Sequence, residues 1–349
     1  MEKLKNYLEK LSQIPSVSGL EERLGKRIIS IIKDKVDTTQ IDNLGNVIAF
    51  KKGCGKHRLR ILLEAHMDQI GLMVTKIEEN GILRFTSIGG VNPLTLFGKR
   101  VRVFGKQEIY GIIGTKPPHL MPKEEVSKVT PTHKLFIDIG FPSMEKALKV
   151  VTVGDVAVLD YYSDTLLYDH FSSSGLDNKA GVLTLVSAID LLDTIKNYHD
   201  IYILFAVQEE VGLRGAKVGG YTINPDIAVV CDVTFGDPAS DSTEICTGKG
   251  PVIGKGPNYF PPLVKRICQI AKREDIPIQE EVQSRPGGTD AFYFQITKQG
   301  VYTAEISVPL RYMHSPVEII NLKDVYRASK LVMHLMTEKS PIIDSKSAV

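Results

Sequence analysis

The chain of 349 residues contains no tryptophan, so the ring best suited to covering the apolar face of a sugar is absent. Cysteine is scarce as well. Cys54, Cys231, Cys246 and Cys268 lie far apart with no CxxC pair, which signals neither a disulfide framework nor a thiolate zinc site and makes a reducing cytoplasm the expected compartment. No stretch approaches the ~20 apolar residues that a membrane-crossing helix requires, and the amino terminus, MEKLKNYLEKLSQ, lacks the apolar core of an export signal. Charge of one sign is missing too: 43 Lys+Arg against 41 Asp+Glu leave +2, with the basic residues scattered. Neither nucleic acid nor a membrane is expected as a partner.

What is present is an ordinary globular composition, 43% hydrophobic and 24% charged, in a chain long enough for about two domains. Two amphipathic stretches, Glu2 to Gln13 and Glu21 to Lys33, flank the turn PSVSG and lead to the strand-like NVIAF and RILLEAH. After Gly71 come short alternating or β-branched segments, ILRFTSIGG, RVRVFG, EIYGIIG, KLFIDIG and VGDVAVL, broken by Gly, Pro and Asn. From about Ser172 an α/β pattern returns, with helix-like NKAGVLTLVSAIDLLDTIK, strand-like IYILFAVQ and IAVVCDV, helix-like PPLVKRICQIAKRED and a last helix over Leu322 to Thr337. The economical reading is an α/β domain built from residues 1–71 and 163–349, interrupted by a β-rich insertion over residues 72–162.

Ligand sites in open α/β sheets gather at the carboxyl ends of strands. There the sequence offers EAHMDQIG, SGLDNKAG, VQEEVG, VCDVTFG and, before the last helix, YMHSPVE. Each is ordinary alone: His66 suits a strand end, Asp177 a helix N-cap, Asp232 a turn, His314 a surface position before a proline, and Glu209-Glu210 a solvated strand end. Together, counting one of the two glutamates, they supply two histidines and three carboxylates, an O/N donor set for Zn²⁺, Mn²⁺ or Co²⁺. Five such residues fit two ions if one carboxylate bridges, and paired ions ~3.5–4 Å apart activate water in hydrolases.

The motifs AHMDQIG, GLDNKAG, QEEVGLRGA, CDV, RPGGTDA and MHSPVE, in this order and broken by a β insertion after the first, resemble the M42 metallo-aminopeptidases, the tetrahedral or deblocking aminopeptidases, over nearly the whole chain. The resemblance implies a mixed-sheet, zinc-peptidase-like catalytic domain with helices on both faces, and a barrel-like insertion that serves dimerisation. It implies two divalent ions per subunit, Zn²⁺ first with Co²⁺ or Mn²⁺ as alternatives. Asp177 would bridge them, His66 and Asp232 would complete one site, and Glu210 and His314 the other. Glu209 would be the general base that takes a proton from the attacking water and passes it to the leaving amine, and Asp68 would hold the second ring nitrogen of His66. It further implies a cis peptide after Asp177, a role in subunit pairing for the segment KPPHL around His119, peptide substrates, and a dodecamer built from dimers.

The chain departs from the family pattern at Gln69, commonly a glutamate, and at Asn178 and Lys179, commonly an acidic residue and an arginine; these bear on metal affinity rather than reaction type. His57, His133, His199 and His334 read as ordinary, and His170 stays open. RPGGTDA reads equally as cleft lining and as a glycine turn capped by Asp290. Two other functions compete with this reading. A glycoside hydrolase is disfavoured, because its carboxyl groups stand about 5–5.5 or 6.5–9.5 Å apart and it has no use for two histidines. An inactive oligomeric scaffold is disfavoured because all five ligands and the base are present.

Overall fold

The near-continuous apolar runs become the centre of a large sheet. In the computed structural model, which describes residues 1–120, 128–160, 163–236, 244–285 and 287–339, the strands Asp200–Ala206, Arg60–His66, Ile227–Phe235 and Tyr302–Arg311 lie side by side in that order and run parallel. From Ile61 to His66 every residue is buried. Because neighbours on a strand point to opposite faces, both faces of the sheet are covered there. Antiparallel strands flank this centre, Val47–Lys51 and Thr38–Ile41 on one side and Glu318–Asn321, His170–Ser173 and Asp164–Thr165 on the other. Val252–Lys255 and Gln279–Val282 branch from Tyr302–Arg311, completing an eleven-stranded mixed sheet among the described residues.

The helix Leu176–Leu192 is the most enclosed element. It packs on Arg60–His66 and Ile227–Phe235 and is covered by Glu2–Ser12 and Leu322–Met336, so Leu176 to Ile189 are all buried. A helix apolar on all sides belongs in such a position. Gly181 lets it approach the sheet, since a Cβ there would lie 2.2 Å from the Cys231 carbonyl oxygen. The helix start is irregular: Asp177 and Asn178 have non-helical dihedrals, their peptide bond is cis, and the N-cap position is Gly175, which has no side chain to cap with. Asp177 is therefore not an N-cap. Pro261–Arg273 and Leu322–Met336 fall close to expectation, whereas the helices Arg214–Ile223 and Met144–Ala147 were not expected.

Six antiparallel strands, Gly71–Ile77, Leu83–Ile88, Phe136–Asp138, Glu108–Gly114, Arg100–Phe104 and Val156–Leu159, close into a barrel. Its alternating residues fill a separate core that includes Leu72, Val74, Val101, Val103, Ile113 and Ile137. A small cluster of Val17, Ile88 and Val158 lies apart from both cores. The expected boundary at Tyr162, Pro286 of RPGGTDA and the tail SPIIDSKSAV lie outside the described residues. No helix among the described residues is long and apolar enough to cross a membrane.

Candidate metal centre

Three parallel strands end at one place. His66 closes Arg60–His66 and pairs in register with Ala206, the last residue of Asp200–Ala206. That strand stops two residues short of the expected IYILFAVQ, so Glu209 and Glu210 lie in the turn beyond it rather than on strand faces. Asp232 comes from Ile227–Phe235 on the other side of His66's strand. Asp177 arrives from the irregular start of the buried helix, and His314 from the turn after Tyr302–Arg311. Gln208, Leu213, Tyr312 and His314 all have positive φ, a concentration of costly backbone around the same point.

The side chains converge. His66, Glu209 and Asp232 form one group of potential ligand atoms within 4.8 Å of one another, and Asp177, Glu210 and His314 form a second. Asp177 joins them: its Oδ1 lies 3.2 Å from His66 Nε2 and its Oδ2 3.3 Å from His314 Nε2. His66 Nε2 is 3.7 Å from Asp232 and 4.0 Å from Glu209, and His314 Nε2 is 3.5 Å from Glu210. Each imidazole turns its other nitrogen outward, His66 Nδ1 to the Asp68 carbonyl oxygen at 3.1 Å and His314 Nδ1 to the Gly90 carbonyl oxygen at 3.0 Å. A carbonyl only accepts, so Nδ1 carries hydrogen in both rings and Nε2 is the nitrogen that faces the cluster. The expected Asp68 contact to His66 is made chiefly by this carbonyl, the carboxylate standing off at 3.5 Å.

The electrostatics fit a site for cations. Four carboxylates face two imidazoles, and no lysine or arginine lines the cavity among the described residues. Burial pushes Glu209 up to about 10 and Glu210 up to about 8, and raises Asp232. Burial also opposes the charge of Asp177, but hydrogen bonds to His314 and His66 outweigh it and hold that carboxyl below the usual range. Hydrogen bonding to Asp177 lifts His314 to about 9; His66, lowered by burial, is raised further by Glu209 and its other carboxylate neighbours. Surroundings that favour a proton on each imidazole favour a divalent cation in its place.

Several contacts that hold this geometry left no sign in the sequence. The Asp68 carboxylate accepts from the Glu209 and Glu210 amides and from Ser18 Oγ at 2.9, 3.2 and 2.6 Å, so it fixes the backbone of the glutamate pair. Glu318, fully buried, accepts from the Leu176 and Asp177 amides at 2.7 and 3.2 Å and from the His314 amide at 2.9 Å, tying two of the converging segments together. Its place at the end of MHSPVE was visible, but not its partners. Glu64 and Asp290 are buried facing each other, with no other hydrogen-bond partner among the described residues, and burial raises both, Asp290 to about 7. Asp290 makes no cap hydrogen bond, so the capped-turn reading of RPGGTDA fails at that residue.

The departures turn out to be linked. Gln69 Oε1 accepts from the buried Lys179 Nζ at 2.6 Å, so two altered positions are one contact, and burial brings Lys179 down to about 7. Asn178 Nδ2 donates to the Cys231 carbonyl at 2.9 Å while its Oδ1 accepts from the Gly181 amide at 2.8 Å, a pairing only an amide can make from both ends. His170 contacts Thr247 Oγ1 and the Leu167 carbonyl, and His119 sits in the short turn Pro118–Leu120, both away from the cluster.

A profile of the family described as M42 glutamyl aminopeptidase matches residues 45–331. A lysyl aminopeptidase from Pyrococcus furiosus is 40% identical over 347 residues, covering 96% of this chain and 97% of that one. An aminopeptidase from the archaeon Desulfurococcus kamchatkensis shares the fold with a TM-score of 0.93 at 37% identity, over 100% and 98% of the two chains. The Pyrococcus horikoshii TET1 peptidase, described as able to assemble into a tetrahedron or a large octahedral shell, matches with a TM-score of 0.86 at 38% identity, over 96% and 100%. With the fold, the His and carboxylate cluster and these end-to-end likenesses in agreement, the chain belongs to the M42 peptidase family and is a metal-dependent aminopeptidase.

Proposed function

We propose that the cluster holds two divalent ions, Zn²⁺ in the first instance with Co²⁺ or Mn²⁺ as alternatives, with Asp177 shared between them, His66 and Asp232 on one and Glu210 and His314 on the other. The observation that carries this reading is Asp177, whose two carboxylate oxygens each face a different histidine Nε2. Divalent ions at such a site supply Lewis acidity, lowering the pKa of water and stabilising negative charge on a carbonyl oxygen. Glu209 is the general base: it takes the proton of the attacking water and returns it to the leaving amine. The burial that raises its affinity for a proton suits a group that must accept one and then release it. Asp68 and Glu318 act through others, by holding the backbones of the glutamate pair and of Asp177 and His314.

The same proposal takes residues 1–71 and 163–349 as the catalytic domain, residues 72–162 as a dimerisation domain, and a dodecamer built from six dimers in the cytoplasm as the working form. The TET1 likeness supports self-assembly, and so do Leu94, Phe97, Tyr110 and Ile112, large apolar side chains left exposed in the barrel region. The test is a pair of peptides differing only in the amino terminus. Metal-loaded protein should release the first residue from the free peptide and none from its acetylated twin, and should release no reducing sugar from soluble cellulose. Equal cleavage of both peptides, or sugar release alone, would overturn the reading.

A further inference from the structure

Lys179 is the only lysine or arginine buried among the described residues, and it follows the proposed bridging residue Asp177 by two positions. Its amine has one hydrogen-bond acceptor among them, Gln69 Oε1 at 2.6 Å. A buried amine with so little compensation is unfavourable, so stability alone gives no reason for the contact. Gln69 lies three residues beyond His66 and is itself fixed. Its amide donates to the Ser16 carbonyl at 2.9 Å, its carbonyl accepts from the Ser18 amide at 3.3 Å, and Ser16 Oγ donates to Oε1 at 3.4 Å. The side chain also packs on Gly175, which has a φ of 67° and where a Cβ would lie 2.8 Å from Gln69 Cδ. Gln69 thus meets both ends of the irregular segment from Gly175 to Lys179, with Asp177 between them.

Each oxygen of Asp177 faces a different histidine, so the segment has to be placed against several others at once. Glu318 ties it to the turn of His314 through the Leu176 and Asp177 amides. Asn178 ties it to the strand of Asp232 through the Cys231 carbonyl. Gln69 and Lys179 supply the tie to the segment of His66, across 110 positions of sequence. We propose that the Gln69–Lys179 contact sets the position of the bridging carboxylate, so that both ions depend on it although neither side chain belongs to either ligand group. The inference rests on the two-ion reading and extends it to positioning residues outside the donor set. A bridging carboxylate that shifts weakens both sites together, whereas a shift of His66 or Glu210 would act on one.

The experiment titrates metal-stripped protein with Zn²⁺ against a competing chelator, giving two dissociation constants, with circular dichroism confirming the fold of each variant. Gln69→Leu and Lys179→Met should each weaken both ions by about 10–100-fold, the scale of losing an outer partner of a metal ligand. The double variant should bind no more weakly than the weaker single one, because one contact can be lost only once. Gln69→Glu keeps an acceptor in the same place and should recover most of the affinity that Gln69→Leu loses. Unchanged affinity in the folded single variants overturns the inference and leaves the contact a purely structural one. Loss confined to one ion overturns it too, as do losses that multiply in the double variant. Should Lys179→Met fail to fold, Gln69→Leu against Gln69→Glu decides: weaker binding by the first supports the inference, and equal binding overturns it. Unaltered protein that binds one ion or none would overturn the two-ion reading itself, a result distinct from any difference among the variants.

Discussion

Inside the barrel lie Leu72, Val74, Val101, Val103, Ile113 and Ile137, hydrocarbon throughout, while the carboxyl edge of the large sheet buries Glu64, His66, Asp68, Asp177, Asp232 and Glu318. In the barrel, charge stays near water, as in the pairs Arg84–Glu78 and Arg102–Glu108. The hydrocarbon side chains of that core gain from leaving solvent. At the sheet edge each buried carboxylate is unfavourable until something compensates it, and the backbone around it holds four positive-φ residues that are not glycine. The contrast locates function: one region is built for stability, and the other departs from the rules of stability where chemistry requires it.

The largest effect expected at the sheet edge is on rate. Glu209→Gln should lose roughly 10²–10⁴ in kcat while keeping its metal content and nearly normal substrate binding, since general acid–base catalysis contributes on that scale. Glu210→Gln should instead bind metal more weakly and regain part of its rate at high metal. Steady-state kinetics with elemental analysis separates the two, and loss of metal from the first but not the second would reverse the assignment.

The barrel should respond in stability and not in chemistry. Ile137→Ala removes a fully buried side chain from its core and should cost about 2–5 kcal/mol in denaturant unfolding, with metal content of the folded fraction unchanged. If the substitution stripped the metal from folded protein, the two regions would not be separable in this way.

A third effect is smaller and belongs to the sheet edge without metal. Glu209 and Glu210 sit at about 10 and about 8 when folded, against an ordinary 4.5. Both are raised, so between 4.5 and those values the folded chain holds more protons than the unfolded one, and stability falls as pH rises. The melting temperature of chelated protein should drop by several degrees from pH 5 to pH 9. Metal-loaded protein should not show that slope, and identical slopes would mean that no cation offsets the buried charge.

The smallest effect is on the barrel surface. Glu108→Gln breaks a partly exposed pair with Arg102 and should change stability by no more than ~0.5 kcal/mol, within reach of a careful thermal melt. A change of several kcal/mol would show that the barrel also depends on charge.

Much of this contrast was legible in the sequence. RILLEAH and IAVVCDV announced strands covered on both faces because their apolar runs are unbroken, and the alternating segments after Gly71 announced a separate β region. The residue types for a metal centre stood at the strand ends, and the structure brings His66, Asp177, Glu209, Glu210, Asp232 and His314 together. What stayed hidden depends on contacts between distant parts of the chain. Glu318 binds the Leu176 amide across 142 positions, and Asp68 binds the Glu209 amide across 141, pairings that leave no local pattern. The link between Gln69 and Lys179 is hidden for the same reason. Glu64 is the exception: a carboxylate in the middle of RILLEAH was a visible anomaly, and its partner Asp290 lay near the end of a segment that read equally as cleft lining and as a turn.

The most direct test of the account is a metal titration of chelated protein, read by elemental analysis and by release of the first residue from an unblocked peptide. Activity should be absent at zero metal, should return with Zn²⁺, Co²⁺ or Mn²⁺, and should level off at about two ions per chain, the number proposed for the cluster joined by Asp177. Full turnover by protein shown to be metal-free would contradict it, and saturation at a single ion would remove the bridging role given to Asp177.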